Sequence, residues 1–143
     1  MSEPIVVDGD TLQFEPQFGN RKVNIPGLIK INGTGHAQVN SKKVCILGDE
    51  KRVTVSATYT TTTHMTPGAG TITITALDSS QQALHCTSGA ALIIKGQKFT
   101  AMFTPQSPAI NNNVNPPQPD PSYLSPTSGK GSFITQQNFA TVN

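Results

Sequence analysis

Three short apolar runs, each closed by a glycine turn, punctuate the chain. They are Leu28-Ile29-Lys30-Ile31-Asn32-Gly33, Val44-Cys45-Ile46-Leu47-Gly48-Asp49 and Leu92-Ile93-Ile94-Lys95-Gly96-Gln97. Between them, apolar and polar positions alternate with a period of two, as in Val53-Thr54-Val55-Ser56-Ala57-Thr58-Tyr59 and Thr71-Ile72-Thr73-Ile74-Thr75-Ala76-Leu77. That period puts one apolar face on each strand and predicts half-buried β-strands. No window repeats apolar residues at helical spacing, so the fold class is all-β.

Turn chemistry divides the pattern further. Gln38-Val39 and Lys42-Lys43-Val44 flank Asn40-Ser41, a pair suited to a tight hairpin turn. Asp78-Ser79-Ser80-Gln81 reads as a second turn, and Lys98 to Phe103 as the last strand of the body. Residues 60–70 carry Pro67, Gly68 and Gly70, poor residues for a central strand, and read as a loop that holds His64. Residues 5–18 read as one extended lead-in strand or arm.

Past Phe103 the composition changes. Seven of the 11 prolines lie between Pro105 and Pro126, and only Asp120 and Lys130 are charged from there to the end. Asn115-Pro116-Pro117-Gln118-Pro119-Asp120-Pro121 favours polyproline II over a sheet interior. A plain linker and an arm that orders on contact both fit; Phe133 and Phe139, in and beside a final strand-like run, favour the arm. The expected organisation is an N-terminal lead-in over 1–19, a β body over 20–105 and a Pro/Asn-rich extension over 106–143.

Composition makes the core look thin. Of 143 residues, 35% are hydrophobic and 6% aromatic, with no Trp, so either part of the chain is expected to stay unpacked or a metal or a partner supplies stability. Charged residues are 13% and the net charge is +2, without a basic stripe, which excludes nucleic acid as a partner class. No stretch reaches the about 20 apolar residues of a membrane span. Met1 to Asp8 is acidic and lacks a secretory pattern, so synthesis in the cytosol is expected, with Cys45 and Cys86 as thiols or metal ligands. Asp49-Glu50 beside Lys51-Arg52 reads as an exposed charged turn. Nucleophile elbows and phosphate-cradling loops do not occur, so no enzyme is expected.

His36, Cys45, His64, His85 and Cys86 form a pool of soft ligands that suits zinc, although their spacing is not that of a zinc finger. With the turns at Asn40-Ser41 and Asp78-Gln81 at one end, the other end could gather His36, His64 and His85 or Cys86. Cys45, between Val44 and Ile46, reads as a small core residue.

Gly35-His36-Ala37-Gln38-Val39-Asn40-Ser41-Lys42-Lys43-Val44-Cys45-Ile46-Leu47-Gly48-Asp49 resembles the hairpin unit of PAAR and PAAR-like proteins: strand, Asn-Gly-Lys-type turn, and a return strand ending in Gly-Asp. The stretches from Gly70 and from Gly89 to Phe103 resemble further units. Ser41 stands where the family has glycine, and Lys43-Val44-Cys45-Ile46 stands where the Pro-Ala-Ala-Arg run would be. The resemblance implies a small cone of β-hairpins that caps a trimeric VgrG-type spike of a contractile injection particle. It also implies a structural zinc near the apex, held here by His36, His64, His85 and Cys86. Transient contact with a target membrane, effector or toxin cargo, and a place on a secreted or extracellular particle follow from it in the same way.

Overall fold

A computed structural model describes residues 3–25, 27, 29–35, 37–39, 41–83, 91–121, 123–135 and 141–142. Among them the fold is all-β, as the alternation predicts. The main sheet has eight strands: β1 (Thr11–Phe14), β2 (Gln17–Phe18), β3 (Arg21–Asn24), β4 (Ile29–Lys30), β5 (Thr54–Thr60), β6 (Gly68–Ala76), β7 (Phe99–Ser107) and β8 (Thr127–Ile134). Their spatial order is β2-β3-β5-β6-β7-β8-β1-β4, with antiparallel pairs throughout.

This order makes the sheet curl. β1 and β2 are consecutive in sequence yet lie near opposite ends of the sheet, so the two residues between them bring those ends together. Glu15 donates its N–H to Lys130 O on β8 at 2.8 Å, and Val23 on β3 donates to Pro16 O at 2.7 Å. The result is an open barrel built from three out-and-back excursions: β1 to β3, β5 to β6, and β7 to β8. An open seam separates β1 from β3, where a groove is lined by Leu12, Phe14, Val23 and Ile25.

The thin apolar supply suffices because glycine makes room for rings. Gly129 and Gly131 on β8 and Gly70 on β6 sit where an added Cβ would lie 2.8 Å from the Phe18 ring, 2.7 Å from Phe99 and 2.6 Å from Phe103. Phe14, Phe99 and Phe133 pack in series, with ring centroids 5.6 and 5.0 Å apart. Phe18 and Tyr59 flank Phe103 at 6.4 and 5.3 Å, the edge-to-face range. The core therefore draws on strands from all three compositional segments: Leu12 from the N-terminal one, Phe103 from the body and Phe133 from beyond Pro126.

Several expectations change. Residues 5–18 are not one strand: Gly9, at φ +87°, turns the chain before β1 begins. The strand after the His64 loop starts at Gly68, so the loop is residues 61–67. Gly68 and Gly70 belong in that strand because β7 and the chain after it pass too close for a Cβ there; Ser107 O and Thr104 O would each be 2.5 Å away. The strand expected at Lys98 to Phe103 is there and runs from Phe99 to Ser107, but the body does not end with it, since β8 pairs with both β7 and β1 in the same sheet. Asp49 and Glu50 are buried, not exposed. Their carboxylates accept backbone N–H groups from Thr34 and Ile46 (Asp49) and from Gly48 (Glu50), which satisfies the acids at a tight turn.

Candidate functional site: a three-fold strand ring

The barrel is closed at one end by three extended segments joined in a cycle. Val6 donates its N–H to Ile93 O, Ile93 to Cys45 O, and Cys45 to Val6 O, each at 2.9 Å. The same rotation relates the flanking residues. Bridges pair Val7 with Val44, Ile46 with Leu92, and Ile94 with Ile5. Two residues beyond each centre, Asp8 donates to Lys43 O, Leu47 to Ala91 O, and Lys95 to Pro4 O, at 2.7 to 2.9 Å. Three residues beyond each centre stands a glycine at positive φ: Gly9 at +87°, Gly48 at +111° and Gly96 at +50°. Each glycine turns the chain out of the ring into an outgoing barrel strand, β1, β5 or β7, directly or through the short 3-10 turn Asp49–Arg52.

The ring is thus an internal three-fold repeat. Two of the three apolar units read from the sequence belong to it. The unit at residues 28–33 does not, and its place is taken by Ile5-Val6-Val7-Asp8-Gly9-Asp10. Ile29 and Lys30 instead add β4 beside β1, and Ile31 donates to Asp10 O at 3.0 Å. A signal was available: only residues 5–10 share with residues 44–49 the order of apolar run, Gly and Asp. In both units that Asp folds back on the ring. Asp10 Oδ2 accepts from Val7 N and Asp49 Oδ2 from Ile46 N, both at 2.9 Å. The third unit has Gln97 at this position, and Ile94 N donates instead to Gln81 O at 3.0 Å.

The ring has two faces. Val6, Cys45 and Ile93 are fully buried and belong to the main core. Strand alternation turns their neighbours the other way. Val7, Val44 and Ile94 are buried outside that core, and Ile5, Ile46 and Leu92 are half-buried. The outward face therefore carries two apolar side chains per segment around the axis. Cys45 fills a core position, as expected. Burial, and then the charges of Asp49, Asp10 and Asp8, push its thiol far above the usual range, so it is inert.

The opposite end of the barrel is made of three unlike loops: residues 15–20, 61–67 and 108–126. The third folds back as a hairpin in which Ile110–Asn111 pairs with Gln118–Pro119. It also pairs with the His64 loop, through Thr66 to Ile110 and a hydrogen bond from Asn112 Nδ2 to Thr66 Oγ1. The Tyr59 hydroxyl pins both its arms, donating to Asp120 Oδ2 and accepting from Ala109 N, each at 3.0 Å. Arg21 is buried over the Tyr59 ring, 5.0 Å from its centroid, and its Nη1 donates to Ser125 O at 2.6 Å.

His64 sits in this loop end. Its Nδ1 lies 2.8 Å from Thr63 Oγ1 and 3.3 Å from Thr61 Oγ1. His36, His85 and Cys86 lie outside the described residues. Their described chain neighbours are tied to the ring end: Gly35 donates to Val44 O, Ala37 O accepts from Val44 N, Ala83 pairs with Leu92, and Ala91 O accepts from Leu47 N. The seven residues of β5, about 23 Å at strand rise, separate the two ends. Among the described residues no three His, Cys, Asp or Glu side chains form a metal-binding group.

A family model described as "Contractile injection system spike tip protein" matches residues 1–143. No curated protein matches the chain.

Proposed function

The chain belongs to the contractile injection system spike tip family, and from that premise we propose that it caps a trimeric β-helical spike, with its strand ring seated on the spike's three-fold axis. The observation that carries this reading is the cyclic Val6–Cys45–Ile93 hydrogen bonding. A single chain that meets a trimer must offer each of three identical subunits a similar surface, and an internal three-fold repeat does so. On the outward face Val7, Val44 and Ile94 are covered by the chain itself, and the half-buried Ile5, Ile46 and Leu92, backed by the closed hydrogen-bond cycle, are left for the contact. Docking there would cover apolar area and the open strand ends of the spike, which would otherwise invite aggregation.

The test is stoichiometry. Mixed with the spike protein of its own particle, the chain should co-elute at one tip per spike trimer. Leu47→Glu, a change at an exposed ring-end position, should weaken the complex. Three tips per trimer, or no complex, would overturn the reading.

A structural zinc at His36, His64, His85 and Cys86 remains a proposal that rests on the resemblance. His64 is its separable member, because the described neighbours of the other three belong to the ring end. No described contact supports attachment of cargo.

A further inference from the structure

We infer that the ring end docks by charge as well as by apolar contact: exposed cations stand at each of its three corners, and the surface they fit is an acidic side chain repeated on the three subunits of the spike. The inference deepens the docking just proposed and rests on it.

The corners are the places where one ring segment ends beside the start of the next. They are marked by the bonds from Asp8 N to Lys43 O, from Leu47 N to Ala91 O and from Lys95 N to Pro4 O. Lys42 and Lys43 are exposed at the first corner, and Lys95 at the third. At the second, the chain passes from Leu47 through Gly48 into the Asp49–Arg52 turn. Lys51 and Arg52 are exposed there, and Lys51 N donates to Gly48 O at 3.1 Å. The cations hold different positions within the three units, so no sequence repeat displays them; the ring brings them to equivalent corners.

The described acids of the ring end face the other way. Asp10, Asp49 and Glu50 are buried and Asp8 is half-buried. Each accepts a backbone N–H, Asp8 from Gly33, Asp10 from Val7, Asp49 from Ile46 and Glu50 from Gly48, at 2.7 to 2.9 Å. The exposed acids Glu15 and Asp78 share a cleft with Lys98 and Lys130, and Glu15 pairs with Lys98 at 2.7 Å. No described acid lies within ion-pair distance of the corner cations. The buried carboxylates offset those cations at long range, so the cations act at contact, where they set register and reject wrong partners.

Three identical subunits present identical groups at equal turns about the axis. One acid on each subunit therefore meets cations at every corner, around the half-buried Ile5, Ile46 and Leu92. An apolar centre inside a charged rim is the ordinary anatomy of a protein interface. A basic partner surface would be repelled at all three corners.

The experiment is capture by the spike trimer of the same particle at about 0.05 M and about 0.5 M salt, which brackets weak and strong screening. Glu3 adjoins Pro4 at the third corner and its side chain is outside those described, so the comparison is made in Glu3→Gln. Lys43→Glu, Arg52→Glu and Lys95→Glu, one per corner, should each weaken capture about threefold at low salt, and together about tenfold or more. The differences should shrink at high salt. All three positions are exposed, so the melting temperature should hold. Changing the acid at the docking end of the spike to Lys should restore capture of the triple variant. Wild-type capture that the triple variant matches, an effect confined to one corner, or failure of the exchange to restore capture would overturn this inference and leave the docking reading standing. Loss in the triple variant of binding to nucleic acid or anionic vesicles, with spike capture unchanged, would overturn it too. Absence of any wild-type complex at either salt would overturn the docking reading itself.

Discussion

Val6 donates its amide proton to the carbonyl of Ile93 at 2.9 Å, joining residues 87 positions apart and closing a cycle through Cys45. Each bond in this cycle fixes where the next segment crosses the axis, so the three segments are held as one unit. Val6→Pro removes the donor and should be severe. A loss of about 3 kcal/mol or more is expected, with loss of spike capture in whatever fraction stays folded. Val6→Ile keeps the donor and should cost little. Thermal melting and spike pull-down check both.

Glycines with different duties should respond differently. Gly48 sits at φ +111° with open space where a Cβ would project, so Gly48→Ala carries backbone strain alone, about 1–2 kcal/mol. In Gly129→Ala the new methyl meets the Phe18 ring at 2.8 Å. Overpacking there should cost about 1–3 kcal/mol and disturb the Phe18–Phe103 pair. Chemical denaturation measures both, and the near-ultraviolet circular dichroism of the aromatic core should change only for Gly129→Ala.

Tyr59→Phe keeps the ring packing and removes the hydroxyl that holds Asp120 and Ala109. Leaving buried polar groups without it should cost about 1–3 kcal/mol. Limited proteolysis should then cut within residues 108–126 while the ring and barrel stay intact. Protection equal to wild type would show that the hydroxyl does not hold this loop.

Stability should fall at alkaline pH. The Tyr59 phenol is raised above its usual value, first by burial, with the hydrogen bond to Asp120 adding to the shift and the Ala109 N–H opposing it. The Cys45 thiol is raised by burial and nearby acids. In both cases the folded state holds the proton more tightly than the unfolded state. Their contribution is complete below the unfolded values, about 8.5 for Cys and about 10 for Tyr. It is lost as pH rises through the higher folded values. Melting temperature against pH should decline above about pH 9, and less steeply in Cys45→Ala.

Metal content separates the proposed ligands. Elemental analysis should find about one zinc per chain, the occupancy of a single tetrahedral site. Cys86→Ala should release it, whereas Cys45→Ala should retain it and cost a packing term of about 1 kcal/mol. If His64 is a ligand, His64→Ala should also release the metal; retention would leave His64 as a residue of the loop end. A metal-free wild type would remove zinc from the account.

Much of the fold was legible because its signals are local. Alternation located β5 and β6, and the Asn40-Ser41 pair marked a hairpin in which Ser41 adopts φ +68°. The apolar-run-and-glycine unit at residues 44–49 is a ring segment, as is the one at 92–97. The unit at 28–33 misled because apolar content alone was matched, whereas the structural repeat is a glycine at positive φ three residues past a central apolar position. The buried state of Asp49 and Glu50 was not legible for a related reason. A carboxylate that accepts backbone N–H groups looks in sequence like any charged turn.

The sequence by itself determined the local conformations: an all-β chain, the positions of turns, and the inward faces of the longer strands. Those follow from side-chain alternation and from the few residues that tolerate positive φ. Only the tertiary structure decided that Val6, Cys45 and Ile93 meet, that β8 from the Pro-rich tail stands between β7 and β1, and that Tyr59 holds Asp120. These are pairings between residues far apart in the chain. Their energy comes from closing a barrel and a ring at once, and no local signal encodes which distant edge each strand will find.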